Sequence, residues 1–429
     1  MLNINFIREN PEKIKKGVAD KGGDPAIVDR VLKVDATRRQ LIAEIEKWRS
    51  QRNQLGKADI EQGKKIKEVL RRLEPDLKAV AEELKNLLYE IPNPAAEDVP
   101  VGKDELENVV LRKWGKPKKF AFKPKDHVEL GEALGVIDIK TAAKVSGTRL
   151  GYLMGGAAFL EFALVQHVFN ILADEKILKT IADKVKKGYS SKPFIPVVPP
   201  VFIKPEVYVR MARLSPETEI ERYFLPRDNQ YLIGSAEHTL GSIHLDEVLN
   251  EKDLPIRYLG FSTCFRREAG AYGKDTRGIL RVHQFDKIEM ESFTTPQNGD
   301  LEQEFIVAIQ EYLMQGLEIP YQVVKICTGD MGGPDYRQMD INAWLPGQDC
   351  YRETHTSDYM TDYQSRRLNT RVRVKSGGTQ FVYMNDATAF AIGRTVIAIL
   401  ENYQQKDGSV LVPKALQKYC GFAKISPRK

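Results

Sequence analysis

Two stretches of the first hundred residues place apolar side chains at alternating steps of four and three. The first runs Ile27, Val31, Val34, Leu41, Ile45, Trp48, Leu55, with Arg38 and Arg52 at the two vacant seam positions. The second runs Ile66, Leu70, Leu73, Leu77, Val80, Leu84, Leu87, Ile91 without a gap. A stripe of this period forces a helix to bury a narrow seam against another helix. Gly56 and Gly63 bracket the break between the runs, so the chain is expected to reverse there, giving an antiparallel coiled-coil hairpin over residues 27–91. Pro75 should bend the second helix, and the prolines of IPNPAAEDVP should end it.

Between Lys33 and Arg72 bases outnumber acids about two to one, with Arg38, Arg39, Lys47, Arg49, Arg52, Lys57, Lys64, Lys65, Lys67, Arg71 and Arg72 on the hairpin. Two readings fit: a solvated helix surface balanced by i,i+4 acids, or a face for a phosphate backbone. The chain's net charge of +6 permits a polyanionic partner without requiring one. Cys264, Cys327, Cys350 and Cys420 are far apart and form no CxxC pair, which disfavours a disulfide framework or a cysteine zinc site. No apolar run is long enough to span a bilayer, and the N-terminal stretch lacks an apolar signal region, so a cytosolic location is expected.

Lys and Pro dominate 115–127, which reads as a linker. This gives an N-terminal domain over 1–114 and a second domain over 128–429. In the latter, Leu160–Leu178 has helical spacing. Short β-type runs follow: FIPVVPPVFI, QYLIGSAE, IRYLGFSTCFR, GILRVHQFDKIEM, YQVVKICTGD, MDINAWLP and GTQFVYMND. Helices are interspersed among these runs rather than alternating strictly with them. That favours an α+β domain, a mostly antiparallel sheet with flanking helices. Neither GxxxxGK[ST] nor GxGxxG occurs, so a nucleotide would need another kind of cradle.

FRREAGAYGKDTRGILRVHQFDKIEM offers one. Phe265–Glu268 and Gly278–Met290 read as two strands joined by a glycine-bearing loop, with Arg266 and Glu268 on one face and Arg281, His283, Phe285, Lys287 and Glu289 on another. An arginine fork suits phosphate, a glutamate can accept from an exocyclic amine, and a phenylalanine offers a stacking surface for a purine. A cross-strand ladder of ion pairs on a solvated face fits the same residues.

The stretch resembles motif 2 of the class II aminoacyl-tRNA synthetases, in the form of the seryl-tRNA synthetase family. VVPPVFIKPE (197–206) is similar to motif 1, the dimer-interface strand, and AIGRTVIAILENYQ (391–404) to motif 3. CTGDMG (327–332) and WLPGQDCYRE (344–353) also match that family, whose tRNA-binding arm the basic hairpin resembles. The resemblance implies a homodimer that activates L-serine with ATP and Mg²⁺ and passes it to tRNA(Ser), with selenocysteine tRNA as a second substrate by the same analogy, and neither DNA nor membrane as a partner.

At matching positions it implies that Arg266 holds the α-phosphate and the serine carboxylate. Glu268 faces the adenine amine, with Val282 beside it. Phe285 and Arg394 sandwich the adenine, and Arg281 and Arg394 reach the outer phosphates. Glu353 and Thr356 are implied for Mg²⁺ and ATP. Ser235, Ala236 and Glu237 line the serine pocket, while Glu289 reads the amino group and hydroxyl and Thr388 completes the hydroxyl site.

The chain departs from the family's pattern in three places. Its His355-Thr356-Ser357-Asp358-Tyr359 stands where SSCSN is common, Asp386-Ala387 where Asn-Gly is frequent, and Ser235 where threonine is usual. His355 is expected to pack rather than to bind metal or phosphate, and the six histidines suggest no zinc cluster. The departures leave one alternative, a catalytically inactive tRNA-binding paralogue. A carrier-protein-charging paralogue is disfavoured because such proteins lack a long tRNA arm.

Overall fold

The computed structural model describes residues 1–56, 59–269, 277–375 and 377–427. Most of the expected glycine-bearing loop (270–276) and Lys57 therefore lie outside the described residues. The chain divides into two compact units, Met1–Ala95 and Ala96–Lys429.

The first unit is helical. Its hairpin is formed by α1 (Ala26–Gln54) and α2 (Ile60–Glu90). Ile45, Ile66, Leu70 and Leu73 bury the seam, with Leu41, Trp48 and Leu77 packed against them. Gly63 lies inside α2 rather than in the turn, and α2 continues through Pro75. Asp35, not read from the sequence, is fully buried beside the seam. Arg8 Nε (3.5 Å), Arg38 Nη2 (3.1 Å) and Arg39 Nε (3.0 Å) surround its carboxylate. Arg38 fills a vacant seam position because a buried acid there has to be neutralised.

The second unit is built on one eight-stranded sheet. Its strands are β1 (Val109–Trp114), β2 (Ile195–Val197), β3 (Ile256–Phe265), β4 (Gln284–Thr294), β5 (Tyr321–Lys325), β6 (Arg337–Leu345), β7 (Cys350–Thr361) and β8 (Tyr383–Ala391). Their order is β1-β5-β6-β7-β8-β4-β3-β2, antiparallel except for the β2–β3 pair. The expected boundary at residue 114 therefore moves to Ala95, since Val109–Trp114 is an edge strand of this sheet. Residues 115–126 hold no helix or strand, but His127 begins the helix His127–Leu134, whose first amides bond to Asp126 Oδ1. The apolar run from Leu160 splits into α3 (Gly156–Leu172) and a separate helix, Glu175–Val185.

One face of the sheet is covered by α4 (Gly299–Gly316), with Phe305, Ile306, Ile309 and Leu313 in the same core as Ile288, Met290, Val323, Ile341, Ala387 and Ala389. The other face of β4 presents Phe285, Lys287, Glu289 and Glu291. A bulge between Ile288 and Glu289 shifts the β4–β8 register, setting Glu289 opposite Thr388. Among the described residues no single helix is long and apolar enough to cross a membrane.

Between β3 and α4 a fully buried ion pair ties sheet to helix. Arg257 Nε and Nη2 donate to the two oxygens of Glu302 at 2.6 and 2.8 Å, and Ser292 and Tyr189 donate to the same carboxylate. Replacing Arg257 with methionine leaves Glu302 buried without its counter-charge. We expect a loss of about 3–5 kcal/mol, measured as a lowered denaturant midpoint of the second unit, and a smaller loss in the Arg257→Met, Glu302→Gln double variant.

Candidate active site

The β3–β4 pairing runs from Ile256↔Phe293 to Phe265↔Gln284, and one further bond joins Arg266 N to the His283 carbonyl at 3.0 Å. The strands thus end earlier than the sequence reading placed them. Arg267, Glu268, Arg281 and Val282 lie in irregular segments beyond the strand ends, not on strand faces. Glu268 has φ +51°, an uncommon left-handed conformation for a non-glycine residue, and its carbonyl accepts from Arg149 Nη1 at 2.8 Å.

A cavity of 460 Å³ opens over this end of the sheet. Arg266, Glu268, Arg281, Val282 and Phe285 line it from the β3–β4 side. Glu353 and Thr356 on β7, Thr388 on β8, Arg394 on α5 (Ile392–Asn402) and Glu237 complete the sequence-derived set around it. Ser235, Ala236 and Glu289 are not in its wall; all three are buried beneath it. Ala236 contributes backbone, its carbonyl accepting from the Thr239 and Leu240 amides.

Two of the three arginines are held by carboxylates and the third by a backbone carbonyl. Arg394 Nη1 donates to the carbonyl and Oε1 of Glu353, both at 2.9 Å, and Arg281 Nη1 reaches Glu268 Oε2 at 3.5 Å. Arg266 Nε donates to the Gly234 carbonyl at 3.0 Å, and its guanidinium lies 5.3 Å from the centre of the Phe285 ring. Thr356 Oγ1 is 3.5 Å from Glu353 Oε1. Partial desolvation pushes the Glu353 carboxyl upward, but Arg394, Arg266, Lys287 and Arg281 outweigh it and hold the group below the usual range.

Under the cavity floor, Glu289 is 1% exposed. Its Oε1 receives Thr388 Oγ1 and lies the same 3.2 Å from Ser235 Oγ, and Lys287 Nζ pairs with that oxygen. Its Oε2 has no hydrogen-bond partner among the described residues. Burial raises the Glu289 carboxyl, with Lys287 opposing.

His355 is fully buried outside the cavity wall. Its Nδ1 is 2.8 Å from Thr354 Oγ1 and its ring is edge-on to Phe390 at 5.4 Å. Burial lowers its pKa to about 3, so the ring is neutral. The sequence reading placed Lys287 on the face of Phe285 and Glu289 without giving it a role, and it missed two further charged groups. Glu291 continues that period-two face, a signal that could have found it. Arg213 lies in an irregular segment and lines the cavity against Glu237, Asp358 and Asp386, with no local pattern to mark it.

Residues 1–95 match the Seryl-tRNA synthetase N-terminal domain and residues 223–403 match the tRNA synthetase class II core domain (G, H, P, S and T). The Serine--tRNA ligase of Dictyoglomus turgidum is 40% identical, with all of both chains covered. The crystal structure of seryl-tRNA synthetase from Pyrococcus horikoshii complexed with ATP superposes with a TM-score of 0.90 at 37% identity over the whole of both chains. The cytoplasmic serine-tRNA ligase of Naegleria fowleri in complex with AMP gives 0.88 at 31% identity, covering 100% of this chain and 99% of that one. Sheet, cavity and sequence agree in placing this chain in the seryl-tRNA synthetase family, the class II serine–tRNA ligases.

Proposed function

We propose that the chain condenses L-serine with ATP to seryl-adenylate and then transfers the seryl group to the 3′ end of tRNA(Ser). The observation that carries this reading is a single cavity in which three guanidiniums face the carboxylates of Glu268 and Glu353 above a buried acceptor, Glu289 Oε2, with no partner among the described residues. Serine can supply what that acceptor lacks. A site built around a substrate hydroxyl rejects the analogue without it by roughly 10⁴-fold or more, because its polar groups would stay buried and unpaired. Threonine is excluded only by crowding.

In the first step a serine carboxylate oxygen attacks the α-phosphorus and the bond to pyrophosphate breaks. In the second, a terminal ribose hydroxyl attacks the mixed anhydride and AMP leaves. No protein nucleophile is needed, and the chain's work is to position two anions and spread their charge. Arg266 holds the α-phosphate and the serine carboxylate together. Arg281 and Arg394 exchange Glu268 and Glu353 for the outer phosphates. Phe285 and the Arg394 guanidinium enclose the adenine, whose amine faces Glu268 beside the Val282 backbone. Glu237, with Ser235 and Ala236, frames the serine ammonium, and Thr388 with Glu289 reads the hydroxyl.

Glu353 and Thr356 would hold Mg²⁺. One carboxylate and one hydroxyl fit an ion that takes few protein oxygens and completes its shell with phosphates and water. Bound there, the ion supplies positive charge to the phosphates.

The basic hairpin is the tRNA contact, with selenocysteine tRNA as a second substrate, and the cytosol is the place of action. The chain works as a homodimer through the 197–206 segment, where Val198 is 81% exposed and Phe202 46%. The inactive-paralogue reading gains nothing from the site, since His355 packs away from the cavity.

Pyrophosphate exchange without tRNA is expected with serine and not with alanine, glycine or threonine, and is expected to vanish in Arg266→Ala and Glu289→Ala; exchange with alanine as good as with serine would refute the pocket. Charge reversal at Lys65, Lys67 and Arg71 is expected to weaken tRNA charging and leave serine-dependent exchange intact. Equal loss of both would end the division of labour between the units. Val198→Asp is expected to shift the molar mass by light scattering from dimer to monomer, and an unchanged mass would remove the segment from the interface.

A further inference from the structure

Arg213 sits where no residue of the reaction scheme above stands. Its Nε lies 2.9 Å from Glu237 Oε1, its Nη2 3.1 Å from Asp386 Oδ2 and 3.3 Å from Asp358 Oδ2, and its Nη1 3.8 Å from Asp335 Oδ1. Its side chain is 13% exposed, and that exposed part looks into the cavity. One cation therefore answers four carboxyls at the amino-acid end of the pocket, and Glu291, fully buried on the same strand face as Glu289, adds a fifth acid nearby.

The cluster is not symmetric. Burial pushes Asp386 and Glu291 well above the carboxylate range, helped by the neighbouring acids. Burial acts on Glu237 in the same direction, yet Arg213, with His238 and Lys287, overrides it and holds that carboxyl well below its usual value. Asp358 and Asp386 meet the far end of the guanidinium, both at Nη2.

A connected path then leads to the substrate-reading residues. Glu237 Oε2 is 3.2 Å from Ser235 Oγ, and Ser235 Oγ is 3.2 Å from Glu289 Oε1, which also receives Thr388. Ser235 has a single proton, so which carboxylate it serves depends on where Glu237 is held. We infer that Arg213, anchored by Asp358 and Asp386, is a positioning residue that fixes Glu237, and through Ser235 the Glu289 carboxylate, in the arrangement that receives serine. The inference rests on the serine-ligase reading and adds to it a determinant of amino-acid recognition. It also accounts for the joint presence of Asp358 and Asp386, two of the positions at which this chain departs from its family.

The test uses the full-length chain with three variants: Arg213→Met, Arg213→Lys, and Arg213→Met combined with Asp358→Asn and Asp386→Asn. The triple variant removes the cation together with two of the four acids around it, so it lightens the charge imbalance without restoring the contact to Glu237. Serine and ATP KM values are read from pyrophosphate exchange, and folding from the thermal midpoint. We expect Arg213→Met to raise the serine KM by about ten-fold or more and to move the ATP KM by less than about three-fold, the signature of a lost ground-state contact at one substrate. Arg213→Lys should recover part of the serine KM. The triple variant should recover part of the midpoint lost in Arg213→Met and keep the raised serine KM. A triple variant with wild-type serine KM would overturn the inference and leave Arg213 as a charge balancer. So would serine and ATP KM rising together in a triple variant with wild-type stability. A wild-type chain without serine-dependent exchange would instead refute the serine-ligase reading, and this inference with it.

Discussion

A β-strand that places Lys287, Glu289 and Glu291 on one buried face has to have those charges answered from neighbouring elements. An unpaired ion at that depth costs several kcal/mol, more than a marginally stable domain can carry at several positions at once. Each neighbour supplies part of the answer. Lys287 pairs with Glu289 on the strand itself, Thr388 donates from β8, Ser235 approaches from the segment before β3, and Arg213 draws together Glu237, Asp358 and Asp386. The bulge opposite Ile288/Glu289 falls on β8, where Ala389 is passed over, and it is what brings Thr388 against Glu289; the β3–β4 ladder runs through Glu289 without a shift. Much of the charge beneath the cavity is thus answered before any ligand arrives, while Glu289 Oε2 and both Glu291 oxygens have no hydrogen-bond partner among the described residues.

The upper part of the cavity follows a different rule. Arg394 and Glu353 are part-exposed, with side chains 25% and 48% accessible. Ion pairs of this exposure are worth only about 0–1 kcal/mol. Transferring Arg394 from Glu353 to a phosphate therefore costs little, and the same holds for the 3.5 Å contact of Arg281 with Glu268. On the proposed reading, phosphate-facing cations would sit on weak, exchangeable partners and amino-acid-reading groups on buried, fixed ones. The nucleotide would then be bound by charge, whereas the amino acid has to be told apart from others that differ by one methyl or hydroxyl group.

Legibility in the sequence followed burial chemistry. The hairpin could be read because its seam is apolar at a fixed period, and the structure keeps Ile45, Ile66, Leu70 and Leu73 there. Strand β3 with its apolar face was legible for the same reason. Strand β7 was not: CYRETHTSDYMT buries polar residues on both faces, so the apolar–polar alternation that marks a half-buried strand is absent. Val109–Trp114 escaped because it is an edge strand whose residues are mostly exposed, and its place is fixed only by pairing with Tyr321–Lys325, more than two hundred residues on. Ten of the thirteen site residues named from sequence line the cavity, and the other three lie just beneath it. These were found through motif resemblance, which encodes three-dimensional neighbours in linear text.

Arg213 marks where such reading stops. Its four partners lie between 24 and 173 residues away in the chain, on four separate segments, and no local periodicity requires a cation at that point. What makes it necessary is a balance of charge that exists only after folding. Asp358 and Asp386 stood out in the sequence as departures, and taken singly each looked like damage to a pocket. Brought within hydrogen-bonding reach of one guanidinium they become mutually dependent: either aspartate without Arg213 would be one more buried acid, and Arg213 without them would be held only by Glu237 and a distant Asp335. Substitutions of this kind are expected to arise and persist together, because each intermediate leaves a buried charge uncompensated. The departures are therefore better understood as one altered interaction than as separate losses, and on the proposed reading that interaction lies beside the amino-acid pocket.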